Sequence, residues 1–500
     1  VRAPSLHPRM KKKRRKAELP AELVGLLAWL EQRGVTLDNI ELRTTSSAGV
    51  GLFAKRDLSA GEELVAVPII CALTAGVALA SPLGAAVTAA AEKLGCAEAC
   101  TAELVMWLFM CRGRAEPGTK DGCGHSWHAY LSALPPAPDP ASWPEAQRAE
   151  LHGSAVGGAV EEALQHVVEC MGVVAQLATE VPELKAVGEE DLLWARGMLL
   201  SRQFPAHLAT GRAGFMGQGA ATNAVESVAQ GSAGSAGRAA GCLLPLLDFL
   251  NHDAHGTPVL QALQYVRGGA PHMSMDPSAS KVTLTSGAPI KKGAEIFISY
   301  GERPNEELLY SHGFCVRDNP MDDVALVLDG AADGGGDEAH EEEPFRIRRQ
   351  AAGGIPSELL RAAAAAAAKQ GEEGDAGMAG IPPMLDAPLE VGAALEVAAD
   401  ECMLLHSALL ERLQAALPSM KADRRALLGA GEEAPSAALN DSAARRRQYV
   451  AMYRQGQREV LTEAVTWLEG LLQAAADGES EGEDEDEDEA EGEGEGEAEA

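Results

Sequence analysis

The order in which hydrophobic patterns change along the 500-residue chain restricts its fold more than any single motif. Across residues 40–68, short apolar runs at 51–54 and 64–67 alternate with Gly-containing turns at 48–51 and 59–61, which predicts β-strands joined by hairpins. From residue 74 to about 205 the period becomes helical. Leu104, Trp107, Leu108 and Cys111 share one face, as do Val160, Leu164, Val167, Val168, Met171 and Val174, and residues 191–202 predict a further helix. Strand character returns at 281–285 and 295–299, predicted as a hairpin about the turn 289–293 that leads into the corner Tyr300-Gly301. Strands that resume after so long a helical insertion must complete the first sheet. This excludes a regular strand–helix alternation and predicts an α+β fold.

The two ends and the second half divide the chain further. Residues 11–16 read KKKRRK, and residues 1–18 are predicted as a disordered basic arm. Leu23, Leu26, Leu27 and Leu30 then predict a short amphipathic helix ended by Gly34. Residues 215–241, rich in Gly, Ala and Ser and without a period, read as a flexible insert. The β-rich domain is placed at 19–316, with its helical insertion at about 75–205. An all-α C-terminal domain at 317–475 follows. It contains an acidic Gly-rich loop at 329–343, a polyalanine stretch at 362–368, and long helices at 395–417 and 441–472. Tyr449, Tyr453, Val460, Ala464, Trp467 and Leu471 form one stripe on the last of these. Residues 476–500 are predicted as a disordered acidic tail; from 477 onward they hold 15 acidic residues and no basic one.

That tail supplies nearly half of the net charge of −32, yet the remaining body is still acidic. An acidic body argues against a groove for nucleic acid and makes a basic protein segment the more natural partner. No apolar run approaches the roughly 20 residues that cross a bilayer, so no membrane span is expected. The nine cysteines are odd in number and contain no CxxC pair, which suits free buried thiols. Cys96, Cys100, Cys123 and His125 sketch a zinc site only with irregular spacing, and no metal is expected. The compartment stays open between nucleus, cytoplasm and chloroplast, and a monomer is expected.

Three segments carry candidate chemistry. In Ser46-Ser47-Ala48-Gly49-Val50-Gly51 two glycines let backbone approach a ligand closely, although a plain hairpin turn explains them too. In Leu244-Pro245-Leu246-Leu247-Asp248-Phe249-Leu250-Asn251-His252 an apolar run ends in polar groups that must find partners if buried. These suit a ligand, a satisfied polar cluster at a strand end, or a metal pair of His252 and Asp253 with His255 near. In Glu295-Ile296-Phe297-Ile298-Ser299-Tyr300-Gly301 a strand delivers a tyrosine to a Gly corner. A helix with Glu306 and Glu307 in its first turn follows, and a tyrosine capping a core would look the same.

Taken in order, and with the pieces Ser126-Trp127-His128-Ala129-Tyr130-Leu131, Ser201-Arg202-Gln203-Phe204 and His312-Gly313-Phe314, these segments resemble the SET-domain protein methyltransferases. More narrowly they resemble the subgroup of the Rubisco large-subunit lysine methyltransferase and its actin-histidine relative, well over residues 40–314 and weakly beyond. The resemblance implies a SET domain followed by a helical substrate-binding domain, with S-adenosylmethionine as cofactor and a protein as substrate. It implies that Ala48, Gly49 and Val50 hold the cofactor through backbone, joined by Arg202, Asn251, His252, Gly313 and Phe314. Tyr300 is implied as the catalytic tyrosine, and Arg202, Asp248, Tyr265 and His312 as the substrate side, with Asp248 near the channel mouth. Two departures stand out: Ala48 replaces a frequent Glu, and His312 replaces the tyrosine usual in lysine-modifying members. The expected activity is methylation of a lysine, or a histidine, on a non-histone protein. The alternative is a SET-fold binding module with weak catalysis.

Overall fold

The computed structural model describes residues 19–45, 49–210, 241–252, 272–276, 281–326, 345–349, 354–356, 358–360, 363, 405–411, 414, 420–428 and 442–490. The chain separates into two compact units. The first comprises Val1–Ala137, Leu164–Ala224 and Gly234–Tyr300; the second comprises Pro138–Ala163, Val225–Ala233 and Gly301–Ala500.

The first unit carries the sheets expected from the sequence. Strands β1 (Ile40–Thr44), β2 (Val50–Ala54) and β3 (Glu63–Pro68) precede the helices, and β4 (Asn251–His252), β5 (His272–Asp276), β6 (Lys281–Thr285) and β7 (Glu295–Ile298) follow them. The late strands do complete the early ones: one sheet runs β1-β2-β7-β4 and another β3-β6-β5. The predicted hairpin of β6 with β7 does not form, because each strand joins a different sheet. Their alternating side chains find deeper partners elsewhere. Val282 and Leu284 of β6 are fully buried on pairing with β3, and β7 pairs with β2 and, in parallel, with β4. The turn between them binds backward instead, Ile290 to Leu58 and Gly293 N–H to the Ala54 carbonyl.

Helix starts in this unit are written locally. Thr74, Ser81 and Thr101 cap α2 (Ala75–Leu79), α3 (Pro82–Leu94) and α4 (Ala102–Ala115), each side-chain oxygen accepting a backbone N–H three residues on. The apolar face read on α4 is only part of its buried surface: every residue from Leu104 to Gly113 is buried, as befits a central helix. Against it pack α2, α3, α5 (His128–Leu131) and α8 (Glu189–Arg202), and α1 (Ala21–Glu31) packs on α5; the Trp194 indole of α8 donates to the Pro135 carbonyl at 3.0 Å. Helix α7 (Ala155–Leu177), of which Leu164 onward belongs to this unit, buries Val167 and Val174, seven residues apart, but leaves Val168 53% exposed. A step of one residue turns about 100° around a helix, which carries Val168 off the buried arc.

In the second unit α10 (Asn305–His312) begins at Asn305, whose N–H and amide bind the Asp322 carboxylate at 2.7 and 3.1 Å. Glu306 accepts from the buried Tyr453 hydroxyl at 3.2 Å. These bonds hold the start of α10 within the second unit, which takes in Gly301–Ala500. The all-α expectation is also corrected, since β8 (Asp323–Leu326) and β9 (Phe345–Arg348) form an antiparallel pair. Val324, Leu326 and Ile347 alternate into a core with Val460, Ala464 and Leu468, a period of two too short to be conspicuous in the sequence. Asp423 of α11 (Met420–Leu428) pairs with Arg454 and Arg458 at 3.2 and 2.8 Å. Both arginines stand on α12, which runs Ser442–Ala490 and so carries helix into a segment expected to be disordered. Extending an existing helix escapes the cost of nucleation, and Glu is a good helix former. The basic arm, the insert 215–241 but for Gly241, the loop 329–343 and all of the polyalanine stretch except Ala363 lie outside the described residues.

Candidate active site

The site assembles within the first unit, where the β1–β2 hairpin meets β4 and β7. Thr45 N–H closes the hairpin on the Gly49 carbonyl at 2.5 Å, and Gly49 has φ +79°, the left-handed region that glycine enters without penalty. Gly51 leaves room for two side chains. A Cβ there would lie 2.3 Å from Glu295 Oε1 and 2.9 Å from Asn251 Nδ2. The Asn251 amide donates to Glu295 Oε1 at 2.7 Å and to the Val50 carbonyl at 3.3 Å, so it ties three strands at one point. Just before it, Leu246 takes φ +78°, a conformation costly for a branched side chain and one that tends to be kept near functional sites.

Tyr300 follows β7 and is held from two sides. Its N–H donates to His252 Nδ1 at 3.1 Å, its ring centroid lies 5.0 Å from that of His252, and its hydroxyl donates to the Leu250 carbonyl at 2.8 Å. An Nδ1 that accepts places the proton of a neutral imidazole on Nε2. Burial pushes the Tyr300 phenol up to about 12, against the opposing charge of Arg202. At neutral pH the group is therefore a hydroxyl, able to orient but not to act as a phenolate base.

Behind Tyr300 lies a buried polar chain. Arg202, at the end of α8, donates through Nη1 to the Asp248 carbonyl, and the same nitrogen stands 4.0 Å from Asp248 Oδ2. Tyr130 of α5 donates its hydroxyl to Asp248 Oδ2 at 2.7 Å. The Asp248 side chain is fully buried and points towards Tyr130. Burial raises its carboxyl to about 6 although Arg202 and Tyr130 both favour the ionised form. Asp248 Oδ1 and Arg202 Nε are buried without a hydrogen-bond partner among the described residues.

Gly49, Val50, Arg202, Asp248, Asn251, His252 and Tyr300 all lie in the first unit. Ala48 and Tyr265 lie outside the described residues. His312, Gly313 and Phe314 belong to the second unit, where Gly313 stops α10 with φ +70° and His312 lies 6.0 Å from the Phe314 ring. Glu295 and Tyr130 were not singled out in the sequence, although both lie inside segments that were. A carboxylate at the start of a strand and a tyrosine on an apolar turn look ordinary until their partners are known.

Among the described residues one group has metal-ligand chemistry, Asp121, Cys123 and His125, with ligand atoms within 4.8 Å of one another. Its carboxylate already accepts the N–H groups of Cys123 and His125 at 2.9 and 2.8 Å and the Trp127 indole at 3.1 Å. Those bonds account for the loop without an ion.

The solved structures most like this chain include Rubisco LSMT bound to sinefungin and monomethyllysine, with a TM-score of 0.62 and 19% identity over 90% of this chain and 92% of that one. The SET domain of LSMT bound to methyllysine and AdoHcy gives 0.63 and 19% over 92% and 94%. The chain therefore has the fold of the SET-domain methyltransferases. Within that class, its likeness is to the Rubisco LSMT structures. Over 86 residues it is also 38% identical to the ribosomal lysine N-methyltransferase set10 of Schizosaccharomyces pombe, a match spanning 17% of this chain and 14% of that relative. No family model matches the chain.

Proposed function

We propose that this protein is an S-adenosylmethionine-dependent methyltransferase acting on a lysine side chain of another, non-histone protein. The observation that carries the reading is the convergence, in one unit, of a glycine hairpin, the Asn251-His252 strand end, Arg202 and a protonated Tyr300 hydroxyl. Support comes also from the ligands in the names of the similar structures: lysine with AdoHcy, monomethyllysine with sinefungin, and AdoMet.

The residues present fit such a cofactor. Gly49 and Gly51 offer backbone without side chains, and the buried Arg202 Nε has no hydrogen-bond partner among the described residues. Gly49, Val50, Asn251 and His252 would hold it, and when bound it supplies an electrophilic methyl group on a sulfonium. The chain's own part is alignment and control of charge. A lysine amine, with an ordinary pKa of about 10.4, must lose its proton to expose a lone pair. Apolar burial and a positive charge close to the amine lower that pKa. The Tyr300 hydroxyl, fixed by the Leu250 carbonyl, presents its oxygen as an acceptor for the amine's remaining hydrogens.

A radiolabelled methyl-transfer assay on a proteome extract tests activity and reveals the target together; no labelled band with a cofactor-binding protein would favour the binding-module alternative. Asn251→Ala should weaken S-adenosylmethionine binding by about 1–3 kcal/mol, since it removes an amide offered to the cofactor at the point where it ties Val50 to Glu295. Wild-type affinity by calorimetry in a folded variant would remove Asn251 from the cofactor site. His312→Tyr is expected to change the number of methyl groups added or the acceptor chosen, read by mass spectrometry. Identical products would place His312 outside the acceptor channel.

A further inference from the structure

We propose that Tyr130 is a positioning residue for methyl transfer: its hydroxyl holds the Asp248 carboxylate ionised and aimed at Arg202, so that the arginine's charge is neutralised inside the site. The proposal rests on the methyltransferase reading above.

Its geometry is a chain of three groups from three separate segments, Tyr130 and Asp248 buried and Arg202 partly so. Tyr130 is fully buried, its hydroxyl lies 2.7 Å from Asp248 Oδ2, and Arg202 Nη1 lies 4.0 Å from that same oxygen while donating to the Asp248 backbone. Arg202 is further held over the Phe249 ring, 5.1 Å from its centroid. The other titratable groups acting here are Tyr300, whose phenol feels both Arg202 and Asp248, and Cys242, which acts on Tyr130. Of these, only Asp248 is poised near neutrality: burial raises its carboxyl to about 6, and the Tyr130 hydrogen bond opposes that rise.

The chemical consequence follows from charge. With Asp248 ionised, the Arg202–Asp248 pair is neutral and tolerates a sulfonium nearby. With Asp248 protonated, Arg202 stands uncompensated and repels it. Cofactor affinity should therefore be full above the Asp248 pKa and fall as pH drops through it. Removing a hydrogen bond to the ionised form raises that pKa, so Tyr130→Phe should move the fall upward by about one pH unit.

Two measurements on the full chain test this. Isotope-edited infrared titration follows the protonated Asp248 carbonyl band, identified by its loss in Asp248→Asn. Calorimetry follows S-adenosylmethionine affinity from pH 5 to 8. In Tyr130→Phe both midpoints should rise together, with affinity about fivefold below wild type at pH 6 and within about twofold at pH 8, as the competent fraction dictates. Asp248→Asn should abolish the dependence in this range, and it carries the test alone if Tyr130→Phe does not fold. An unmoved infrared midpoint, a moved midpoint with an unmoved affinity profile, or a profile persisting in Asp248→Asn overturns the proposal. A wild-type chain that binds no S-adenosylmethionine while the infrared shift persists overturns the methyltransferase reading itself, and the coupling with it.

Discussion

Tyr300→Phe is expected to lower kcat by about a hundredfold or more while S-adenosylmethionine affinity stays within a few-fold of wild type. The hydroxyl donates to the Leu250 carbonyl at 2.8 Å, whereas the contact to His252 runs through the Tyr300 backbone N–H, which phenylalanine retains. The substitution thus removes the oriented oxygen and leaves the strand end intact. Because burial holds the phenol well above neutrality, the loss should be the same at pH 7 and pH 9, unlike that of a titrating base. Single-turnover methyl transfer with calorimetry on the same variant checks it, and unchanged turnover would take Tyr300 out of the mechanism.

Gly313→Ala is expected to destabilise the protein by roughly 3 kcal/mol or more, through two additive costs of left-handed backbone and steric clash. Gly313 ends α10 at φ +70°, and a Cβ placed on it would lie 2.0 Å from the Pro138 carbonyl oxygen, a backbone atom unable to swing aside. Urea unfolding followed by circular dichroism measures the effect. A loss under about 1 kcal/mol would mean that the contact relaxes freely, and that Gly313 is kept for something other than ending the helix. In the His312-Gly313-Phe314 piece the glycine thus meets a folding requirement whatever ligand lies nearby.

The site and the fold were legible to different depths, and the reason is range. Local physics wrote what needed only neighbours in sequence: the caps Thr74, Ser81 and Thr101, the hairpin glycine Gly49, and the periods of α4, α7 and α12. Gly51, Arg202, Asn251, His252 and Tyr300 were readable because a motif in order carries a resemblance, although no physical rule of spacing joins residues up to 249 positions apart. The tertiary structure alone decided which groups touch. It sent β6 and β7 to different sheets, set β8 against β9 in a domain that reads as helical, and turned Asp248 inward to Tyr130, 118 residues away. A carboxylate's partner depends on which distant elements share its burial. A sequence shows that such a group must be satisfied if buried, and only the packed chain shows by what.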